Sequence, residues 1–175
     1  GGHILSIANP EEIIELNKRL EPYKKKGGFL TFDKLSDLFE DYGVIIGAGH
    51  PFRDGSHIPE LSPELLSRFD FIDLNGKDVA ESPQRIMQKS YAFGERLGIP
   101  VVSGSDTHQT VQYGCIRTSF DQDHSTVRSL MQAMKEGKYV IEISPDINFK
   151  VRTASLLKKA LKEIHSLGGC YDSIL

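Results

Sequence analysis

The sequence contains no tryptophan and only two cysteines, Cys115 and Cys170, among its 175 residues. Two cysteines, neither of them in a Cys-x-x-Cys pair, make a poor disulfide framework and favour a reducing, cytoplasmic setting. The chain also lacks an apolar run of the roughly 20 residues that a membrane-spanning helix needs. No charged segment followed by an apolar one marks a signal peptide at the N-terminus. These absences exclude a disulfide-stapled scaffold and predict a soluble protein without a membrane partner.

An excess of charge of one sign is also absent. The 21 basic and 24 acidic residues give a net charge of -3 and are scattered in mixed order. Because no basic stripe follows from this distribution, nucleic acid is disfavoured as a partner. With 39% hydrophobic residues, the chain is long enough for one compact domain and too short for two. We therefore expect residues 1–175 to form a single domain.

Short apolar runs typical of strands alternate with segments that have helical periodicity and helix caps. The predicted strands lie at 3–8, 44–49, 70–75, 99–105 and 138–143, and the predicted helices at 9–28, 33–43, 62–69, 82–98, 125–137 and 152–169. Strands separated by helices favour parallel pairing through right-handed crossovers. The predicted fold class is α/β, with parallel strands alternating with helices. The pattern leaves open a partial βα barrel or a smaller open sheet.

Reactive side chains collect just after three of the predicted strands. In both parallel architectures, ligands bind at the carboxyl ends of the strands, so residues at these positions should share one rim. They are His50, Arg53, His57, Asp73, Asn75, Asp106 and His108.

Asp106 and His108 are the most informative pair in this set. In extended backbone, residues two apart point to the same face, and a carboxylate with a neutral imidazole suits zinc, manganese or iron. His50 could complete such a site. Taken alone, Asp-x-His is often an ordinary surface turn, and Arg53 could form an ion pair with Asp54 or Asp73. The joint occurrence at separate strand ends favours the metal site.

The stretches "IIGAGHPFR" and "VVSGSDTHQTVQYG" resemble the later metal-binding motifs of the PHP superfamily, named for polymerase and histidinol phosphatase. The family's Gly-Ser-Asp-x-His element matches Asp106 and His108, and its His-Pro element matches His50. "GGHILSIA" resembles a family strand whose His can reach the active site, which is His3 here. The resemblance implies a distorted seven-stranded βα barrel of the PHP type.

The resemblance covers most of residues 3–143 but begins in the middle of the family pattern. The first family motif, His-x-His followed by Ser-Asp, is absent from this sequence. We therefore expect the C-terminal part of a longer barrel, or a degenerate form of it. An open sheet edge would need cover from a second copy or from the missing N-terminal segment.

The resemblance implies a metal-dependent phosphoesterase that hydrolyses a phosphate monoester or diester of a small metabolite or nucleotide. Two or three divalent ions (zinc, manganese or iron) would be bound in an intact family member, here with His50, Asp106 and His108 as metal ligands. His50 and Arg53 would be catalytic, and Arg53 and His3 would bind substrate, Arg53 through its planar fork. Alternatives are a catalytically incomplete domain acting in binding or assembly, and an amidohydrolase-type metal hydrolase.

Overall fold

Strands and helices alternate in the computed structural model, which describes residues 2–169. The strands are β1 (His3–Ile7), β2 (Ile45–Gly49), β3 (Phe71–Asn75), β4 (Val101–Gly104), β5 (Ile116–Phe120) and β6 (Tyr139–Ile143). The helices are α1 (Pro10–Leu20), α2 (Phe32–Phe39), α3 (Pro63–Leu66), α4 (Gly76–Glu81), α5 (Pro83–Leu97), α6 (Val127–Lys135) and α7 (Ile147–Ser166). This order confirms the mixed α/β class.

The strands form a four-stranded sheet in the order β1-β2-β3-β4 and a separate pair, β5-β6. Strands β2, β3 and β4 run parallel, as predicted from the helices between them. The larger sheet ends in two different edge strands, so it is not closed. Parallel pairing therefore brings three strand ends to one side of the sheet.

The parallel direction predicted for the first strand is wrong, because β1 pairs antiparallel with β2. The connection between them contains both α1 and α2, and a connection of that length can return the chain in either direction. The register places His3 opposite Gly49, where a Cβ would lie 3.0 Å from the His3 carbonyl oxygen. Glycine at position 49 thus allows the close approach that brings His3 to the carboxyl end of β2.

Strand β5 was not predicted, because "IRTSF" contains a charge and two hydroxyl side chains within five residues. It pairs antiparallel with β6 and lies beside β4 without a regular ladder to it. The hydroxyl of Thr118 joins the two strands: it accepts from the Ser103 N–H at 2.7 Å and donates to the Ser103 carbonyl at 3.2 Å. The Thr118 side chain therefore links β5 to β4, although the two strands belong to separate sheets.

The core lies between the larger sheet and helix α5. Ile72 and Leu74 of β3 have no exposed surface, and Ile86 and Phe93 of α5 belong to the same cluster. Burying a side chain of this size stabilises a fold by about 1.5–3 kcal/mol. β3 is buried along its whole length, as expected for a strand covered on both faces.

Helix ends agree with the predicted caps in part. Gly98 ends α5 with a positive φ of 67°, as its position predicted. The predicted cap of α6 at Ser125 is wrong by one residue, because the Thr126 side chain accepts from the Ser129 N–H. Helix α7 begins at Ile147, ahead of the predicted residue 152.

Within residues 2–169, none of the helices combines the length and the apolar character needed to cross a membrane.

Candidate active site

The carboxyl ends of β2, β3 and β4 carry a connected group of polar side chains, here called the rim: His50, Arg53, Asp73, Asn75, Asp78 and Asp106. Four of them, His50, Asp73, Asn75 and Asp78, are only 2–8% exposed. Buried polar groups are stable only when they are hydrogen-bonded. The rim therefore depends on a specific bonding pattern.

Arg53 lies at the centre of this pattern and uses each of its three guanidinium nitrogens. Nε donates to Asp78 at 2.9 Å, Nη1 to Asp106 at 3.1 Å and Nη2 to Asn75 at 2.8 Å. Burial lowers the pKa of Arg53, but the bonds to Asp78 and Asp106 outweigh burial and raise it above the ordinary value. The guanidinium thus ties β3, α4 and the loop after β4 together.

The ion-pair partners of Arg53 differ from the two that the sequence suggested. Asp54 and Asp73 were the candidates, whereas Asp78 and Asp106 form the pairs. Asp78 was missed because the short helix α4 was not predicted. The available signal was an Asp three residues after an Asn. The side chain of Asn75 accepts from the Lys77 N–H and is the N-cap of α4.

Asp73 holds two other rim residues, His50 and Asn75, in place. Its Oδ2 accepts the backbone N–H of His50 at 3.1 Å and the Asn75 side-chain amide at 3.3 Å. Burial, opposed in part by these two bonds, raises the pKa of Asp73 to about 6. The carboxyl group therefore fixes the turn after β2, and it is costly to ionise.

His50 and His3 are in direct contact. Nε2 of His50 lies 2.8 Å from Nδ1 of His3, so one of the two nitrogens carries the hydrogen. Burial, and then the nearby charge of Arg53, lower the pKa of His50. Its other nitrogen, Nδ1, is buried and finds no hydrogen-bond partner among residues 2–169. The lowered pKa favours the neutral imidazole, and Nδ1 of His50 is unused.

The loop after β4 holds Asp106 and His108 in a geometry that the sequence did not predict. Strand β4 ends at Gly104, and Asp106 has a φ of +50°. The expectation of extended backbone is therefore wrong, although the two side chains do lie side by side, with Nδ1 of His108 3.8 Å from Oδ1 of Asp106. Nδ1 of His108 also lies 2.9 Å from the Asp106 carbonyl oxygen. Since a carbonyl only accepts, Nδ1 carries the hydrogen, and Nε2 of the neutral ring keeps its lone pair.

Gln112 holds this loop and was not among the predicted residues. Its buried side-chain amide donates to the carbonyl oxygens of Ser105 at 2.6 Å and Asp106 at 3.1 Å. A positive φ at a residue other than glycine persists only where the surroundings impose it. Gln112 and Arg53 impose it here, one through the backbone of Asp106 and the other through its side chain.

The rim and the neighbouring His108 together offer the donor types of a zinc, manganese or iron site. The unused Nδ1 of His50, the lone pair on Nε2 of His108 and the second oxygen of Asp106 fit such an ion in chemistry. The Nδ1–H of His108 on a carbonyl is also the usual outer bond of a metal-binding histidine. Within residues 2–169, however, no three such side chains already form a metal-holding cluster. The assignment of His50, Asp106 and His108 as ligands stays a prediction.

Two other candidates lie outside the rim network. His57 is exposed and contacts Glu60 at 2.8 Å. Cys115 is buried, and burial raises the pKa of its thiol, which makes it a core residue rather than a nucleophile. Cys170 lies outside the described residues.

Two solved structures share this fold. PsfC from Pseudomonas syringae PB-5123 matches with a TM-score of 0.67 and 20% identity, over 90% of this chain and 61% of that chain. The lesion-specific endonuclease PfuEndoQ from Pyrococcus furiosus matches with a TM-score of 0.54 and 20% identity, over 80% of this chain and 37% of that chain. This chain therefore spans less than two thirds of either protein.

The sequence itself matches one family. Residues 87–139 match the family described as PHP-associated, whereas none of the curated proteins gives a significant match. The matched segment runs from α5 through β4 and the Asp106 loop to the start of β6. The PHP resemblance inferred from the motifs is thereby confirmed, and the α/β fold of this chain contains a PHP-associated segment.

Proposed function

We propose that this chain is the C-terminal part of a PHP-type metal-dependent phosphoesterase, a single domain that contributes strands to a distorted βα barrel. The observation that carries the proposal is the rim together with His3 beside it. Two imidazoles in contact, a carboxylate and a guanidinium meet at the carboxyl ends of parallel strands. This is the position at which such sheets bind ligands. The PHP-associated segment and the similarity to PfuEndoQ, itself an endonuclease, support phosphate-ester chemistry.

The proposed metal ligands are His50, Asp106 and His108. A divalent metal bound there would supply a Lewis acid and an acidified water. Burial lowers the pKa of His50 and so favours the neutral imidazole that a ligand must be. We propose that further ligands come from a part of the fold beyond this chain, which covers 61% of PsfC. Association with such an N-terminal segment, or with a second copy, would complete the site.

The side chains of this chain would bind and orient the substrate. Arg53 has five N–H groups and uses three of them on the rim, so two remain for phosphate oxygens. His3, which is exposed, uses Nδ1 on His50, and its Nε2 remains for substrate. We propose a phosphate monoester or diester of a small metabolite or nucleotide as the substrate, in a reducing, cytoplasmic setting. The charge balance gives nucleic acid no support.

The test is metal content and hydrolysis measured on the same preparations. Elemental analysis of the wild-type chain should find zinc, manganese or iron, and the Asp106→Ala/His108→Ala double variant should lose it. If a second copy completes the site, the wild-type chain should then hydrolyse p-nitrophenyl phosphate or its bis-ester with added Mn²⁺, and the double variant should not. Equal metal content in both proteins would contradict the proposed ligands.

A second candidate function is binding or assembly by a catalytically incomplete domain. The bond from Arg53 to Asp106 favours it, because the guanidinium already neutralises the proposed carboxylate ligand. Metal stoichiometry separates the two functions. Less than one metal per chain, unchanged in the double variant, would support the binding domain.

A further inference from the structure

We propose that Asp78, which none of the sequence motifs assigned, is a positioning residue that sets the orientation of Asp106 through Arg53. The inference rests on the proposed function, because it concerns the same metal site. Asp78 accepts from Nε of Arg53 at 2.9 Å, and Arg53 donates from Nη1 to Asp106 at 3.1 Å. Asp78 contacts Arg53 at the base of the guanidinium fork and thereby fixes where both of its tips point.

The backbone that carries Asp78 is itself held firmly. Asn75 caps α4 through the Lys77 N–H. Gly76 lies so close to the next layer that an added Cβ would stand 2.7 Å from the Cys115 sulfur and 2.8 Å from the Ile116 side chain. The first turn of α4 therefore cannot shift toward β5. Asp78 is thus a fixed anchor, whereas Arg53 and Asp106 lie on loops.

This anchor leaves one oxygen of Asp106 available. Arg53 donates to Oδ2 of Asp106, while Oδ1 lies on the side of His108, 3.8 Å from its Nδ1. Without the charge of Asp78, Asp106 would be the only carboxylate left on the guanidinium. A guanidinium paired with one carboxylate prefers two parallel bonds. Arg53 would then take both oxygens of Asp106 and withdraw the proposed metal ligand.

The experiment compares Asp78→Asn with the control Asp54→Asn in the full chain. Asp54 is exposed and lies next to Arg53 in sequence, so its substitution makes the same charge change without touching the guanidinium. We expect Mn²⁺ affinity, measured by calorimetry with Mn²⁺ alone, to fall about 10- to 100-fold in Asp78→Asn, as for other outer partners of metal ligands. Asp54→Asn should bind as the wild type does.

A second readout does not depend on metal. In metal-free protein, the amide NMR signals of residues 105–112 should move in Asp78→Asn and stay in place in Asp54→Asn. If the wild type binds no Mn²⁺, the proposed function fails, while these signals still decide the role of Asp78. Unmoved signals in a folded Asp78→Asn variant would overturn the inference.

Arg53→Lys covers the case in which Asp78→Asn does not fold. A lysine keeps the charge but cannot contact three acceptors in a fixed plane. The same loop signals should therefore move, and Mn²⁺ affinity should fall to a similar extent. A folded Arg53→Lys variant with unmoved signals and wild-type affinity would overturn the inference as well.

Discussion

The rim buries polar side chains, whereas α7 beyond Ala154 leaves apolar side chains exposed. At the rim, His50, Asp73 and Asn75 are 2–8% exposed, whereas Leu156 of α7 and Leu167 just after it are 68% and 79% exposed. The buried residues of α7 all lie in its first half. Polarity alone therefore does not predict burial in this molecule. The polar side chains are buried where they can bond one another, and α7 packs against α4 and the loop after β4.

Substitutions in these two regions should also differ in their effect on stability. A buried ion pair adds little net stability, but removing one partner leaves an uncompensated buried charge. Shortening an exposed leucine, in contrast, changes the free energy of unfolding very little. Substitutions at the rim should thus destabilise the fold out of proportion to the surface they remove, and substitutions of exposed residues of α7 beyond Ala154 should have almost no effect on stability.

The largest effect is expected for Arg53→Ala. The substitution leaves Asp78 buried without its cation and frees the Asp106 loop. We expect the free energy of unfolding to fall by about 3–5 kcal/mol, as for other broken buried pairs. Urea denaturation followed by circular dichroism measures it. The exposed Arg117, paired with Glu142, is the control, and Arg117→Ala should cost below about 1 kcal/mol. Equal losses in the two variants would show that the rim is no more than a surface network.

The second prediction concerns pH and Asp73→Asn. The folded-state pKa of Asp73 is about 6, against an ordinary value of 3.8. The folded protein therefore holds the proton more tightly, and wild-type stability from this group is lost as pH rises from about 4 to about 6. An asparagine keeps an acceptor for the His50 N–H and has no such loss.

The measurement is the difference in unfolding free energy between Asp73→Asn and wild type across this pH range, in chelator. It should shift in favour of the variant by roughly 1–3 kcal/mol between pH 4 and 7 and then stay constant. Asp70, whose pKa burial also raises, titrates alike in both proteins and cancels. A difference that does not change with pH would show that Asp73 ionises normally in the folded protein.

Gln112→Ala should have a smaller, local effect. The substitution removes two bonds to the carbonyl oxygens of Ser105 and Asp106. We expect the free energy of unfolding to fall by about 1–2 kcal/mol. We also expect faster hydrogen exchange at the amides of residues 105–112. Gln132→Ala on the exposed side of α6 is the control and should change neither quantity. Unchanged exchange in Gln112→Ala would mean that the loop is held by other contacts.

The sequence predicted the elements better than their directions. Apolar runs and caps located α5, β2, β3 and β4, because local pattern and packing agree there. The antiparallel direction of β1 depends on a long connection that carries no directional signal, and β5 depends on a tertiary contact through Thr118. At the site, position after a strand identified His50, Arg53 and Asp106. Asp78 was missed because the short helix α4 was not predicted, and Gln112 because its role arises only from contacts made in three dimensions.

The smallest effect is expected for Leu156→Ala on α7, which is best compared with Val151→Ala on the same helix. Val151→Ala removes two methyl groups from a buried position and should cost about 2 kcal/mol. Leu156→Ala removes a larger group from an exposed position and should change the unfolding free energy by less than about 0.5 kcal/mol. The higher helix propensity of alanine offsets part of this small loss. A loss above about 1 kcal/mol that grows with protein concentration would instead show that this face of α7 is covered in solution, and sedimentation would then detect the complex.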